Sequence, residues 1–120
     1  MKDKGYGIGL THAWNGILYA FIKERNFRIH LILACVVLIF SVVLRISYLQ
    51  WLVVLIMIGS VMVAELFNTA IEKLLDYVKP DIDPRAKVIK DIAAGAVLIM
   101  AMTAAIVGSL IFIPKILALF

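Results

Sequence analysis

From Leu49 to Ala64 the chain carries no charged residue, and the run then meets Glu65 before any break in its helical pattern. A stretch of this kind fits a membrane span, since a bilayer core about 30 Å thick takes about 20 mostly apolar residues in a helix. At about 100° per residue, Glu65, Asn68, Glu72 and Asp76 fall at about 0°, 300°, 340° and 20°, on one helical face. Ionisable groups at membrane depth are costly, and a working site is the default reading. The plainer alternative is a helix emerging into water near Glu72. It accounts for Lys73 and Asp76 but leaves Glu65 and Asn68 without a reason.

The rest of the composition agrees with a membrane setting. The 120 residues are 64% hydrophobic with a mean hydropathy of +1.06, whereas soluble domains stay close to half apolar. An integral, all-α membrane protein of one domain over residues 1–120 is expected. Cys35 is the single cysteine, so no intrachain disulfide can form, and it reads as a small buried hydrophobe. Lys2 and Lys4 precede a mixed segment rather than an apolar core, so a cleaved signal peptide is not expected. Gly5-Tyr6-Gly7-Ile8-Gly9 has neither a preceding strand nor a GK[ST] ending, and reads as a flexible terminus rather than a phosphate loop. No cysteine–histidine cluster points to zinc.

Four helical segments are predicted. Over about residues 10–27, Leu10, Trp14, Ile17, Leu18, Phe21 and Ile22 recur at spacings of three and four. That pattern suits an amphipathic helix lying in the membrane interface, or one packed on the other helices. Spans are predicted over about residues 29–45, 48–72 and 91–113, with Arg28 and Arg45 snorkelling at the ends of the short first one. The second helix continues past the bilayer to Tyr77. Lys79-Pro80-Asp81-Ile82-Asp83-Pro84 breaks the chain, and Asp83-Pro84 makes a good N-cap and first-turn pair for the last helix. Pro114 is expected to kink or end it. Its alanines and glycines, from Ala93 to Gly108, suit close helix packing.

Ten of the twelve lysines and arginines lie before the first span or between the second and third, with only Arg45 and Lys115 elsewhere. The positive-inside rule therefore puts the N-terminus and the second loop in the cytoplasm. Three spans cannot by themselves enclose Glu65 and Asn68, so a homo-oligomer with sites between subunits is expected.

Glu24, the Glu65–Asp76 stripe, Asp81 with Asp83, and Lys90 with Asp91 could converge at the inner interface. Carboxylates from different helices suit a hard cation such as Mg²⁺ that bridges to phosphates, and lysines nearby would offset phosphate charge. A deeper carboxylate such as Glu65 could take a proton from a hydroxyl held at bilayer depth. Acidic groups at two depths fit a reaction joining a soluble phosphate donor to a lipid alcohol. The plainer readings stand beside this one: Glu24 pairing with Arg28 one turn on, Lys90 and Asp91 as interfacial anchors, His12 on a polar face, and His30 heading the first span with no catalytic part.

Glu65-x-x-Asn68-Thr69-Ala70-Ile71-Glu72-x-x-x-Asp76, followed by Ala86-Lys87-x-x-Lys90-Asp91-x-Ala93-Ala94-Gly95-Ala96-Val97, resembles the bacterial diacylglycerol kinase family of small membrane kinases. The likeness runs from about Trp14 to Lys115. Glu24-Arg25-Asn26-Phe27, His30 and Ile111-Phe112-Ile113-Pro114-Lys115 are most similar to the Gram-positive branch, the undecaprenol kinases. The diacylglycerol-specific branch has small residues at Arg25 and Asn26, an acidic one at His30 and often a lysine at Asn15. The resemblance implies a homotrimer of three-span subunits, each with an amphipathic surface helix and active sites shared between neighbours. It implies Glu65 as catalytic base, Asn68 and Asp76 as polar active-site residues, and Glu24 and Glu72 as ligands of the ATP-bound Mg²⁺. It further implies nucleotide contacts from His12, Asp81, Asp83, Lys90 and Asp91. The activity implied is ATP-dependent phosphorylation of undecaprenol at the cytoplasmic membrane, giving the carrier lipid of cell-wall assembly, with diacylglycerol as the alternative substrate.

Two rival readings come from other classes. A proton-coupled transporter would use Glu65 as its carrier carboxylate and consume no ATP. A non-catalytic assembly module would use the polar stripe only to set helix packing.

Overall fold

The computed structural model describes residues 9–120, so most of the Gly5–Gly9 segment, with Lys2 and Lys4, lies outside the described residues. The described chain is all-helical: α1 Leu10–Lys23, α2 Arg25–Val43, α3 Tyr48–Val78 and α4 Pro84–Leu117. The last three are long and apolar enough to cross a membrane. At about 1.5 Å per residue, α2 measures about 28 Å, close to a bilayer core, while α3 at about 46 Å and α4 at about 51 Å must project beyond it.

The first helix ends earlier than its apolar period predicts. Glu24 adopts an extended conformation (φ −109°, ψ 112°) and separates α1 from α2. The carbonyls freed by this break need donors, and Arg28 supplies them. Its Nη1 donates to the Phe21 and Ile22 carbonyls, both at 2.9 Å. Arg28 is thus committed to the end of α1 rather than to Glu24, and Phe27, only 4% exposed, anchors the new direction.

The α2–α3 connection is a compact Schellman turn. The Arg45 N–H donates to Val42 O and the Ile46 N–H to Ser41 O, each at 3.3 Å, and Ile46 is buried. The position after the cap is left-handed and is usually glycine; here it is Arg45, at φ 53°. Ser47 and Gln50 then form a capping box that starts α3, each satisfying a free N–H of the other. Asp83 caps α4 by accepting from the Arg85 N–H at 2.8 Å.

α3 packs most extensively on α4, then on α2, with α1 touching α2 and α3. The tight core is Ile46, Val54 and Ile111, joined by Val37, Trp51 and Phe112, near the α2–α3 turn. Ser41, Thr103 and Ser109 return their hydroxyls to carbonyls four residues back, at 2.8 Å, so none is left unmatched in an apolar setting. Pro114 lies inside α4, which continues to Leu117, so the proline does not end it. Its missing N–H costs only one ladder bond near the terminus. Not all of the small-residue face of α4 closes onto its neighbours. Ala93 and Val97 are buried, but Ala101, Ala104 and Gly108 line a cavity of about 260 Å³ shared with α2 and α3.

No more than 17% of the most apolar window of any long helix is buried within the chain. That leaves apolar surface far beyond what a water-soluble monomer shows, and it includes Leu10, Trp14 and Ile22 on α1.

Candidate active site

The carboxylate stripe predicted for α3 is present, and its two deepest members are enclosed by this single chain. Glu65 is 3% exposed and Asn68 9%. The expectation that three spans could not enclose them is therefore corrected. Each has a partner in its own chain. His30 on α2 brings Nε2 to 3.1 Å from Glu65 Oε1, and the Asn68 amide donates to Glu72 Oε1 at 2.8 Å, one turn on. Buried polar groups require such partners; the first pair spans α2 and α3 and the second lies within α3.

His30 is the residue that the sequence reading left out of the site. The signal was available, because an ionisable group inside an apolar run is a functional candidate by default. What the sequence lacked was which turn of α2 faces Glu65.

Glu24 reaches α3 as well, by way of the break between α1 and α2. Lys73 Nζ lies 3.3 Å from its carboxylate and 5.9 Å from the centre of the Tyr19 ring, so one ammonium ties α1 and the junction to α3. Lys73 was likewise absent from the predicted site. Glu24, through Lys73, and Glu72, through Asn68, are thus both tied to the stretch of α3 that carries Glu65.

Further along α3, Asp76 and Lys90 meet across the α3–α4 interface at 2.7 Å, joining two predicted site residues. Asp91 instead pairs along its own helix with Lys87, at 2.6 Å. The loop aspartates form a cluster of their own. Asp83 accepts from Arg85 at 3.1 Å and lies 3.8 Å from Lys79, while Asp81 stands 4.0 Å from Lys79. The side-chain and backbone donors of Arg85 hold the Asp83 carboxyl below its ordinary value. His12 is exposed in the first turn of α1 and makes no polar side-chain contact with another described residue. The single chain thus gathers Glu24, Glu65, Asn68 and Glu72, joins Asp76 to Lys90, and leaves His12, Asp81, Asp83 and Asp91 outside these two groups.

The depth of each group follows from helix geometry. At about 1.5 Å per residue, Glu65 lies about 26 Å along α3 from Tyr48, Glu72 about 36 Å and Asp76 about 42 Å. With Tyr48 at one membrane boundary, a core of about 30 Å ends between Glu65 and Glu72. On that placement Glu65 falls inside the apolar layer, and Glu72 and Asp76 stand at or beyond its edge.

Among the described residues, no group of three or more His, Cys, Asp or Glu side chains is placed to hold a metal ion. Mg²⁺ does not need one, since it commonly takes one or two carboxylates and completes its shell with water and phosphate oxygens. Asn68 Oδ1 is buried without a hydrogen-bond partner, and Glu24 and Glu72 offer hard oxygen donors in the same region. The donor set fits a magnesium–phosphate ligand.

Comparison with known proteins identifies the family. The family model described as prokaryotic diacylglycerol kinase matches residues 11–112. The undecaprenol kinase of Bacillus subtilis is 42% identical over 105 residues, covering 88% of this chain and 85% of that protein. A diacylglycerol kinase of Synechocystis is 38% identical over 113 residues, covering 93% of this chain and 65% of that one. A diacylglycerol kinase of Helicobacter pylori is 33% identical over 101 residues, covering 82% and 79%. The chain belongs to the prokaryotic diacylglycerol kinase family.

Proposed function

We propose that the protein is an ATP- and Mg²⁺-dependent lipid kinase that phosphorylates the hydroxyl of a membrane alcohol, with undecaprenol as its main substrate. The observation that carries this reading is the enclosed Glu65, about 10 Å along the helix from Glu72. A lipid hydroxyl confined to the apolar layer can reach the first, and a phosphate donor confined to water can reach the second.

In the proposed reaction, the alcohol oxygen forms a bond to the γ-phosphorus as the bond to the ADP oxygen breaks. The hydroxyl proton passes to Glu65, acting as general base. Glu24 and Glu72 would hold Mg²⁺, which when bound offsets negative charge on the phosphates. Asn68 donates its amide N–H to Glu72, and its buried Oδ1 is left without a protein partner. Lys90, held by Asp76, lies at the aqueous end, where its ammonium would meet phosphate oxygens. His12, Asp81, Asp83 and Asp91 would complete the nucleotide contacts, in part across subunits. This family reaction relies on positioning and electrostatics, consistent with a site built from paired charges rather than from a nucleophile.

The reading extends to the assembly. Exposed Trp14, Leu10 and Ile22 on α1 support a helix lying in the membrane interface. The exposed apolar faces of the long helices are compatible with a homo-oligomer, and the family resemblance makes it a homotrimer. Lys23, Arg25 and Arg28 at the start of α2, with Lys73, Lys79, Arg85, Lys87 and Lys90 around the α3–α4 loop, support a cytoplasmic N-terminus in a bacterial cytoplasmic membrane.

The 42% identity to an undecaprenol kinase supports the polyprenol over diacylglycerol, although other relatives are named for diacylglycerol. A micellar assay with Mg-ATP, comparing undecaprenol with diacylglycerol, tests both levels. Faster transfer to undecaprenol is expected. Faster transfer to diacylglycerol would reassign the substrate, and transfer to neither would overturn the lipid-kinase reading.

A further inference from the structure

We infer that His30 is a positioning residue for the proposed reaction: its Nε2, in contact with Oε1, fixes the carboxylate of Glu65 beside the apolar cavity. The inference rests on the lipid-kinase reading and adds to it a residue from a different helix.

Three observations carry it. The Nε2–Oε1 separation of 3.1 Å puts the ring and the carboxylate in direct polar contact, at ion-pair distance. Both groups are largely withdrawn from solvent, the histidine side chain 20% and the glutamate side chain 5% exposed, so water competes little for either. His30 is also the one polar side chain in the lining of the cavity between α2, α3 and α4, among residues such as Ala34, Val37, Val61 and Ala104. The imidazole therefore stands between the carboxylate and an apolar space into which that carboxylate could otherwise turn.

The backbone fixes the ring in turn. His30 falls two residues after Arg28, whose guanidinium is bound to α1, and three after the buried Phe27. The first turns of α2 are thereby held in one rotation about the helix axis. With Oε1 engaged by His30, the second carboxylate oxygen is the one to face an incoming hydroxyl. A carboxylate so restrained meets the substrate in one geometry, and such pre-orientation is worth large factors in rate. The proposed role of the imidazole is exerted through Glu65, the group it contacts.

The test compares His30→Ala with His30→Gln in the full-length protein in micelles, using undecaprenol and Mg-ATP. A glutamine amide can donate to the same oxygen, whereas alanine cannot. His30→Ala is expected to lower kcat by about 10- to 100-fold, the range for loss of a hydrogen bond to a charged group. The KM for Mg-ATP and the amount of Mg-ATP bound at saturation should not change. His30→Gln should return kcat to within a few-fold of the parent. Parent-like turnover in His30→Ala would overturn the inference. So would loss of Mg-ATP binding alongside activity, which would mean a collapsed fold, and so would a glutamine variant as slow as alanine while still binding nucleotide. A parent that phosphorylates no lipid alcohol would overturn the lipid-kinase reading itself, whereas an active parent with an unaffected His30→Ala overturns this inference alone.

Discussion

Lys73 on α3 lies 3.3 Å from the carboxylate of Glu24, the single residue that separates α1 from α2. The proposed site gives that carboxylate to a metal ion, so an arriving cation must displace the ammonium and tolerate its charge nearby. Lys73→Gln removes the competitor and the repulsion together, and both effects have the same sign. Mn²⁺ titration of the nucleotide-free protein, read by electron paramagnetic resonance, should show affinity raised a few-fold. Unchanged or weaker binding would mean that Glu24 does not take part in holding the metal.

Glu72 accepts the Asn68 amide through Oε1, and a glutamine there keeps a carbonyl acceptor for that bond. Glu72→Gln should therefore preserve the fold while losing the metal-binding charge. Loss of a partner behind a metal ligand typically costs about 10- to 100-fold in affinity or activity, so loss of a ligand charge should cost no less. Isothermal titration with Mg-ATP should show at least about tenfold weaker binding, with an unchanged helical circular dichroism spectrum.

Arg45 occupies the left-handed position of the α2–α3 turn at φ 53°, where an L side chain costs about 1–2 kcal/mol. Glycine avoids that strain but loses about 0.5–1 kcal/mol through its freer unfolded chain. Arg45→Gly should therefore stabilise the protein by about 0.5–1 kcal/mol net. Unfolding in mixed detergent with a graded denaturant would show it as a raised midpoint, and a lowered midpoint would contradict the account of the turn.

Asp83 caps α4 and is held below the ordinary carboxylate value by donors from Arg85. Its folded value lies below its unfolded one, so its contribution is complete above the usual carboxylate range, about 3.9. That contribution is lost as pH falls through the depressed value. Asp83→Ala should thus lower the thermal midpoint near neutral pH. The gap between parent and variant should narrow below about pH 4.

Parts of this architecture were legible in the sequence because they are local. The Asp83-Pro84 start of α4 and the shared face of Glu65, Asn68 and Glu72 depend only on spacing along one helix. The capping box was equally local, as Ser47-x-x-Gln50 carries its signature. The end of α1 was not legible, since the apolar period runs on past Glu24 and only the tertiary reach of Arg28 to two carbonyls makes the break tolerable. Nor were the partners of the charged residues. Glu24 has a plausible local partner in Arg28 but takes Lys73, far along the chain. Glu65 meets His30 through a rotation of α2 that no spacing rule encodes.

The central claim is that Glu65 takes the proton from the acceptor alcohol, and Glu65→Gln tests it most directly. The amide keeps the size of the side chain and removes its capacity as a base. Measured together in micelles, transfer from ATP to undecaprenol should fall to background while Mg-ATP binding stays close to that of the parent. Parent-like transfer in the Glu65→Gln protein would contradict the account.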